Sequence, residues 1–120
     1  MSHFLGLRTA IYAAPQLDEL KNWYSQALGI KPYFDEPFYV GFNVGGYELG
    51  LDPNASAGAG TSVAYWGVAD IHAAYQHLLN LGATPHQEVT NVGDDIYVAT
   101  VYDPANNLFG IIQNPHFQVL

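Results

Sequence analysis

Residues 47–53 read YELGLDP, and residues 109–115 read FGIIQNP. Both stretches begin with an aromatic residue, continue with aliphatic residues and end in Asp-Pro or Asn-Pro. They differ at the second position, where Glu48 of the first stretch corresponds to Gly110 of the second. The apolar content and the turn residues at each end are typical of β-strands. The chain therefore contains a repeated strand, and only the first copy carries an acid.

Each copy closes a longer unit that reads strand, helix and three strands, from about residue 7 to 52 and from about 62 to 114. The predicted helices end alike, as ALGIKP at 27–32 and NLGATP at 80–85. Residues 53–61 (PNASAGAGT) have the small, flexible composition of a linker. The predicted elements are a strand at 7–13, a helix at 17–28 and strands at 33–35, 38–43 and 47–51, then a strand at 62–68, a helix at 71–81 and strands at 84–90, 96–102 and 108–113.

The composition excludes several classes of protein. The 120 residues are 49% hydrophobic, which suits one packed domain. Only three cations face eleven acids, for a formal net charge of −8. A protein with no basic stripe is a poor binder of nucleic acids and of anionic membranes. The absence of cysteine excludes disulfides and thiolate metal sites. With neither an apolar run long enough to span a bilayer nor a signal peptide, we expect a cytoplasmic protein.

The order of these features resembles the vicinal oxygen chelate superfamily, which includes glyoxalase I, bleomycin-resistance proteins and extradiol dioxygenases. The resemblance runs from about residue 7 to 115 and is carried by short motifs in both units. It implies an α+β fold of two tandem βαβββ modules whose curved sheets surround a central cavity, with a homodimer as the usual assembly. The motifs are Trp23-Tyr24, Leu28-Gly29, Val68-Ala69-Asp70, Leu81-Gly82 and the turn at 103–107 (DPANN), where Asn106 replaces the family's usual Gly.

The resemblance also implies where metal ligands would lie. The family's metalloenzymes use His or Glu on the first and last strand of each module, and these places fall here on Thr9, Glu48, Val63 and Gly110. A hydroxyl, an aliphatic side chain and a glycine are not competent ligands for Zn, Ni, Fe or Mn. The five histidines offer no replacement by spacing, and solvated or locally hydrogen-bonded roles suit them better. We therefore expect no metal, no other cofactor and no catalytic residue.

Strand alternation predicts what the cavity offers in place of a metal. The residues on the face opposite the helices form an apolar cup with a few polar anchors, the usual composition of a small-molecule pocket. The alternative is that they pack against one another or against a second subunit. The predicted pocket residues are Thr9, Ile11, Tyr39, Glu48, Val63, Tyr65, Tyr97, Gly110 and Ile112.

Glu48 has two interpretations on this basis. It is either a buried acid with a raised pKa that acts as a base or pairs with a cationic ligand, or a partly solvated carboxylate hydrogen-bonded to Thr9 or to a tyrosine hydroxyl. We favour a role in binding. Three functions follow: a metal-independent small-molecule-binding protein of the bleomycin-resistance type, a glyoxalase-like metalloenzyme (lyase, isomerase or dioxygenase) with a non-standard site, or a regulatory or structural dimer without a ligand.

Overall fold

The structure is a computed structural model that describes residues 3, 7–55 and 63–116. The chain divides into two compact units, residues 1–57 and 58–120. Each unit contains one helix and one four-stranded sheet, so the predicted α+β fold of two βαβββ modules is confirmed. The predicted linker falls largely on residues 56–62, and the predicted start of the second module at Ser62 also lies outside the described residues.

The first unit contains a helix, α1 (Leu17–Leu28), and four strands. The strand order is β1-β4-β3-β2, with β1 parallel to β4 and the other pairs antiparallel. The strands are β1 (Thr9–Ala13), β2 (Phe34–Glu36), β3 (Tyr39–Val44) and β4 (Tyr47–Asp52).

The apolar stripe of α1 packs on one face of this sheet. Leu20 and Tyr24 of the helix are buried, as are Phe42 and Leu49 on the strands beneath. Gly29 ends the helix in the left-handed conformation (φ 70°), and its N–H donates to the Ser25 carbonyl. The helix therefore covers the face that carries the odd-numbered residues of β4, which leaves the Glu48 face free of it.

The second unit repeats this arrangement with α2 (Ile71–Asn80) on a sheet of order β5-β8-β7-β6. Asp70 caps the helix by accepting a hydrogen bond from the Ala73 N–H at 3.2 Å. Ile71 and Leu78 of the helix are buried, together with Phe109 and Ile111 of the sheet. The strands are β5 (Tyr65–Gly67), β6 (Thr84–Gly93), β7 (Ile96–Tyr102) and β8 (Leu108–Gln113).

The turn between β7 and β8 depends on a buried carboxylate. Asp103 accepts hydrogen bonds from the N–H groups of Ala105 and Asn107 and from the Asn107 side-chain amide, at 2.7–2.9 Å. Asn106 has φ 65°, a conformation that Asn tolerates better than most other non-glycine residues. Asn106 can therefore take the place that glycine usually holds in this turn.

In the part of the chain that the structure describes, neither helix has the length and apolar character that crossing a membrane requires.

Candidate functional site

The Glu48 carboxylate lies at the centre of a cluster of hydroxyl groups in the first unit. Thr9 Oγ1 donates to Oε1 at 2.7 Å, and the Tyr39 hydroxyl donates to the same oxygen at 2.8 Å. The Tyr33 hydroxyl donates a hydrogen bond to Oε2. All three donors are neutral, so the hydrogen bonds that they make bring no positive charge to the carboxylate.

Strand pairing explains why these four side chains meet. Thr9 is the Cα partner of Glu48 in the parallel β1–β4 pair, so their side chains lie on the same face. Tyr39 reaches this face from β3, two residues before Gly41. Tyr33 lies immediately before β2, and its N–H donates to the Gly41 carbonyl at 3.0 Å. The cluster is therefore assembled by backbone pairing across all four strands of the sheet.

Two glycines leave the space that the cluster occupies. Gly41 and Gly50 are cross-strand partners on β3 and β4, and both belong to the Glu48 face. A Cβ added at Gly50 would lie 2.6 Å from the Tyr39 Cζ, and one added at Gly41 would lie 2.8 Å from the Glu48 Oε2. Any larger residue would displace a member of the cluster. Glycine is required here for space, because neither residue has a positive φ.

The hydrogen bonds set the charge state of the cluster. The Tyr33 hydroxyl is the largest influence and lowers the pKa of Glu48; burial opposes it, and the hydrogen bonds from Thr9 and Tyr39 reinforce it. Burial and the hydrogen bond to Glu48 raise the pKa of Tyr39 to about 12, against a smaller opposing effect of Thr9. The hydrogen bond to Glu48 likewise raises the pKa of Tyr33.

At neutral pH the site therefore holds a carboxylate anion and two neutral phenols. Of the two interpretations of Glu48, the buried acid with a raised pKa is wrong, because the hydroxyl donors outweigh the desolvation of a partly buried side chain. A carboxylate with a lowered pKa is a weak general base. The interpretation as a partly solvated carboxylate, hydrogen-bonded to Thr9 and to tyrosine, matches the observed geometry.

A cavity of about 330 Å³ opens beside the cluster at the β3–β4 hairpin end of the sheet. This volume is at the small end of the range for ligand pockets. Besides the anionic Glu48, the residues that line the cavity include one further charged residue, Arg8, and one residue with an amide side chain, Asn43. The cavity is lined by Arg8, Thr9, Tyr33, Asn43, Gly46, Tyr47 and Glu48.

The structure brings together three of the predicted pocket residues, Thr9, Tyr39 and Glu48. Ile11 shares their face of the sheet as the Cα partner of Gly50, and its side chain is 56% exposed. In the second unit Tyr65 and Gly110 are Cα partners, and Ile112 lies on the same face of that sheet.

Two predicted pocket residues are placed differently. Val63 precedes β5 and has no partner in the β5–β8 pairing. The residue paired with Gly110 is Tyr65, just as Thr9 is paired with Glu48 in the first unit. The family's ligand position on this strand is therefore Tyr65, two residues after the predicted Val63. Tyr97 lies on the helix-facing side of β7, with its ring 6.2 Å from that of His72 on α2. The error has a physical cause: neither a strand start nor a middle-strand register can be counted from sequence motifs alone.

Tyr33, Arg8 and Asn43 belong to the site but were not predicted from the sequence. Asn43 is the Cα partner of Glu48 across the hairpin, so the Gly45-Gly46 turn signal together with the hairpin register could have identified it. Tyr33 joins the site only because β2 pairs with β3, and that pairing depends on the loop between them.

The donor set at the four family places does not fit a transition metal. Glu48 is already bonded to three hydroxyls, Thr9 is one of those donors, and Tyr65 is a neutral phenol. Gly110 has no side chain, and a Cβ there would lie 2.7 Å from the Tyr65 ring and 2.8 Å from the Ala64 carbonyl oxygen. Among the described residues no group of three or more His, Asp or Glu is placed to hold a metal ion.

Two of the histidines make local hydrogen bonds in the second unit. His86 Nδ1 lies 2.7 Å from the buried Thr100 Oγ1, and His116 Nε2 lies 2.7 Å from the Asp94 carbonyl oxygen. These contacts agree with the local roles expected from their positions in the sequence.

Residues 2–111 match the family model described as Glyoxalase/Bleomycin resistance protein/Dioxygenase superfamily. No curated protein sequence matches the chain. Several solved structures have the same fold at low sequence identity, and this similarity concerns the fold alone.

A glyoxalase-related enzyme from Fulvimarina pelagi aligns with a TM-score of 0.78 at 14% identity, covering 98% of this chain and 94% of the other. Lactoylglutathione lyase from Agrobacterium tumefaciens aligns with a TM-score of 0.77 at 17% identity, covering 96% and 99%. TioX from a Micromonospora species aligns with a TM-score of 0.72 at 15% identity, covering 90% and 98%.

Proposed function

Because the chain belongs to the Glyoxalase/Bleomycin resistance protein/Dioxygenase superfamily, we propose that it binds a small molecule at the Glu48 face of its first sheet and does so without a metal. The observation that carries this proposal is the state of Glu48, the only carboxylate at the four family places. Both of its oxygens already accept hydrogen bonds from hydroxyl groups, those of Thr9, Tyr33 and Tyr39.

A metal at this place would have to share Glu48 with the hydroxyl cluster. A metal ion bound through Glu48 would compete with three charge-assisted hydrogen bonds, each worth about 1.5–3 kcal/mol. The other three family positions would contribute little to metal coordination, because they hold a threonine, a tyrosine and a glycine. A polar anchor beside an accessible cavity is instead the arrangement of a binding pocket.

The metal content of the protein tests the first half of the proposal. We expect the full chain, purified without chelators and then incubated with Zn, Ni, Fe or Mn and desalted, to retain far less than one metal ion per chain. Retention of one ion per chain, lost in Glu48→Gln and kept in Glu36→Gln, would contradict the proposal and favour the glyoxalase-like metalloenzyme. Glu36 is a suitable control because it is an exposed carboxylate on β2, outside the cavity wall.

Small-molecule binding tests the second half. We expect a thermal-shift screen of chemically diverse compounds to give saturable increases in melting temperature, since a ligand that binds only the native state stabilises it. The increase should fall in Gly41→Ala, which displaces the Glu48 carboxylate, and persist in Gly67→Ala, where a Cβ meets nothing within 4 Å. A screen with no saturable binder would favour a structural or regulatory role instead.

The assembly and location of the protein are also proposals. We propose a homodimer in the cytoplasm, on the basis of the low content of charged residues (12%) and the family's usual assembly. Sedimentation equilibrium of the full chain gives the subunit number directly, and a mass near 13.1 kDa would refute the dimer.

A further inference from the structure

Exposed aromatic rings lie beside the Glu48 carboxylate, on the face of the first sheet that α1 does not cover. Tyr33 lines the cavity, donates its hydroxyl to Glu48 and is 63% exposed. Phe34 belongs to the same face as the Cα partner of Gly41, and its ring centroid lies 5.9 Å from that of Phe38. Both phenylalanines are also exposed. An accessible aromatic surface therefore begins at the Tyr33 ring and continues over the two phenylalanines.

The Oε2 atom of Glu48 is the carboxylate oxygen that can take a further donor. An ionised carboxylate offers about four acceptor positions. Among the described residues, Oε1 accepts two hydroxyl hydrogen bonds and Oε2 accepts one. Oε2 lies 2.8 Å from the position that a Cβ of Gly41 would take, and the Tyr33 Cε1 lies 3.2 Å from the same position. A ligand atom that donates to Oε2 is therefore within reach of the Tyr33 ring.

The charged strand residues on this face are all acids. Glu36, Glu48 and Asp52 belong to it by strand register, and the four strands of this sheet contain no lysine or arginine. Arg8 also lines the cavity, but it precedes β1, at the opposite edge of the sheet from β2. Its Nη1 donates to the Leu7 carbonyl at 3.3 Å. A cation at Oε2 therefore meets an acidic face and an aromatic ring, and both can attract it.

We infer that the ligand of this site is a protonated amine that carries an aromatic group, with an ammonium N–H on Glu48 Oε2 and its ring against Tyr33 and the adjoining Phe34. The inference rests on the proposed function and specifies its ligand class. An anion would be repelled by the acids of this face, and a neutral apolar ligand would leave the remaining acceptor position of the carboxylate to water. A small inorganic cation would leave the exposed rings without a partner. Only an amphipathic cation uses both the carboxylate and the rings.

The test uses the full chain and probes that separate the charge from the ring. Isothermal titration calorimetry at neutral pH is done with benzylamine, 2-phenylethylamine and tryptamine, with the alcohol of each skeleton, and with ethylamine as an amine that has no ring. We expect at least one aromatic amine to bind saturably, and the matching alcohol to bind at least about tenfold more weakly, because it lacks the charge-assisted hydrogen bond. Ethylamine should also bind at least about tenfold more weakly, because it buries no ring.

Substitutions assign the two contacts of the ligand. Glu48→Gln should weaken binding of the amine by about tenfold or more and leave binding of the alcohol unchanged. Tyr33→Ala should weaken binding of the amine and the alcohol alike, whereas Tyr33→Phe keeps the ring and should retain amine binding. Glu19→Gln is the matched control for charge, because it removes an exposed acid from the first turn of α1, and it should change nothing.

Four results would overturn the inference. They are no binding of any aromatic amine, an alcohol that binds as tightly as its amine, and a loss of amine binding in Tyr33→Phe as large as in Tyr33→Ala. The fourth is a dimer of the natural chain that Phe34→Ala converts to monomers in sedimentation equilibrium, since a second copy would then cover the aromatic surface. A saturable hit of another class in the thermal-shift screen would leave the proposed function standing, whereas no hit at all would remove both.

Discussion

Replacing Gly50 by alanine should displace the Tyr39 phenol from the hydroxyl cluster around Glu48. The new Cβ would lie 2.6 Å from the Tyr39 Cζ and still nearer to its hydroxyl oxygen, so the phenol must leave its position. Tyr39 then loses its 2.8 Å hydrogen bond to the ionised Glu48. A hydrogen bond to a charged group contributes about 1.5–3 kcal/mol.

The expected loss of stability is smaller than that figure. Alanine restricts the unfolded chain more than glycine does, which stabilises the protein by about 0.4–1 kcal/mol where the native backbone tolerates it. The net loss for Gly50→Ala is therefore about 0.5–2.6 kcal/mol. Gly67→Ala is the matched control, because Gly67 is also a strand glycine and its Cβ would meet nothing within 4 Å. It should be neutral or stabilising by up to about 1 kcal/mol.

Urea denaturation at pH 7 measures both free energies of unfolding, and alkaline titration of tyrosine absorbance reports the phenols. In Gly50→Ala the pKa of Tyr39 should fall from about 12 toward the ordinary 10.0, because the displaced phenol leaves both its burial and Glu48. In a Tyr39→Ala background the Gly50→Ala change should no longer destabilise, since nothing remains for the Cβ to displace. Equal stability of the two glycine variants, with Tyr39 still titrating near 12, would refute the reasoning.

Three further predictions concern the charge of Glu48 and the turn of the second unit. The folded-state pKa of Glu48 lies below its ordinary value of 4.5. Ionisation of Glu48 therefore stabilises the fold above that pH, and this stabilisation is lost as pH falls through the folded pKa. The difference in melting temperature between the natural protein and Glu48→Gln should shrink below about pH 4.5 and should not shrink above it. Asn106 has φ 65°, so Asn106→Ala should cost about 1 kcal/mol while Asn106→Gly costs less, as urea denaturation would show; an equal cost for both would argue against a conformational role. Asp103 is 2% exposed and accepts hydrogen bonds from Ala105 and Asn107. Asp103→Ala should therefore lower the free energy of unfolding by about 3 kcal/mol or more. A loss below about 1 kcal/mol would contradict its role as the centre of the turn.

Most of the fold could be predicted because its signals are local. The 3.6-residue spacing of Leu20 and Tyr24, with Gly29 after them, specifies a helix and its end, and the structure has both. The Gly45-Gly46 pair specifies a tight hairpin, and both glycines adopt positive φ, 61° and 95°. Such features depend on residues a few positions apart, so they can be recognised in one sequence.

The candidate site could be predicted only in part, because it depends on register between strands. Alternation along β4 correctly separates Glu48 from the buried Leu49. The same reasoning failed at Tyr97 and Val63, where the face or the pairing partner depends on neighbouring strands. A one-residue change in register reverses the face of every side chain, and nothing local fixes it for strands joined by long connections.

By itself the sequence determined that the protein is a duplicated βαβββ chain with one acid, Glu48, between the apolar residues of the repeated strand, since repetition, turn residues and apolar spacing are properties of the residues in order. The tertiary structure alone decided the hydrogen-bond partners and the charge state of Glu48. Tyr33 reaches Glu48 through the pairing of β2 with β3, and Gly41 and Gly50 leave the space for the phenols. The hydrogen bonds to Glu48 join residues up to 39 positions apart, and together they decide between the two interpretations of this acid and hold it as an anion.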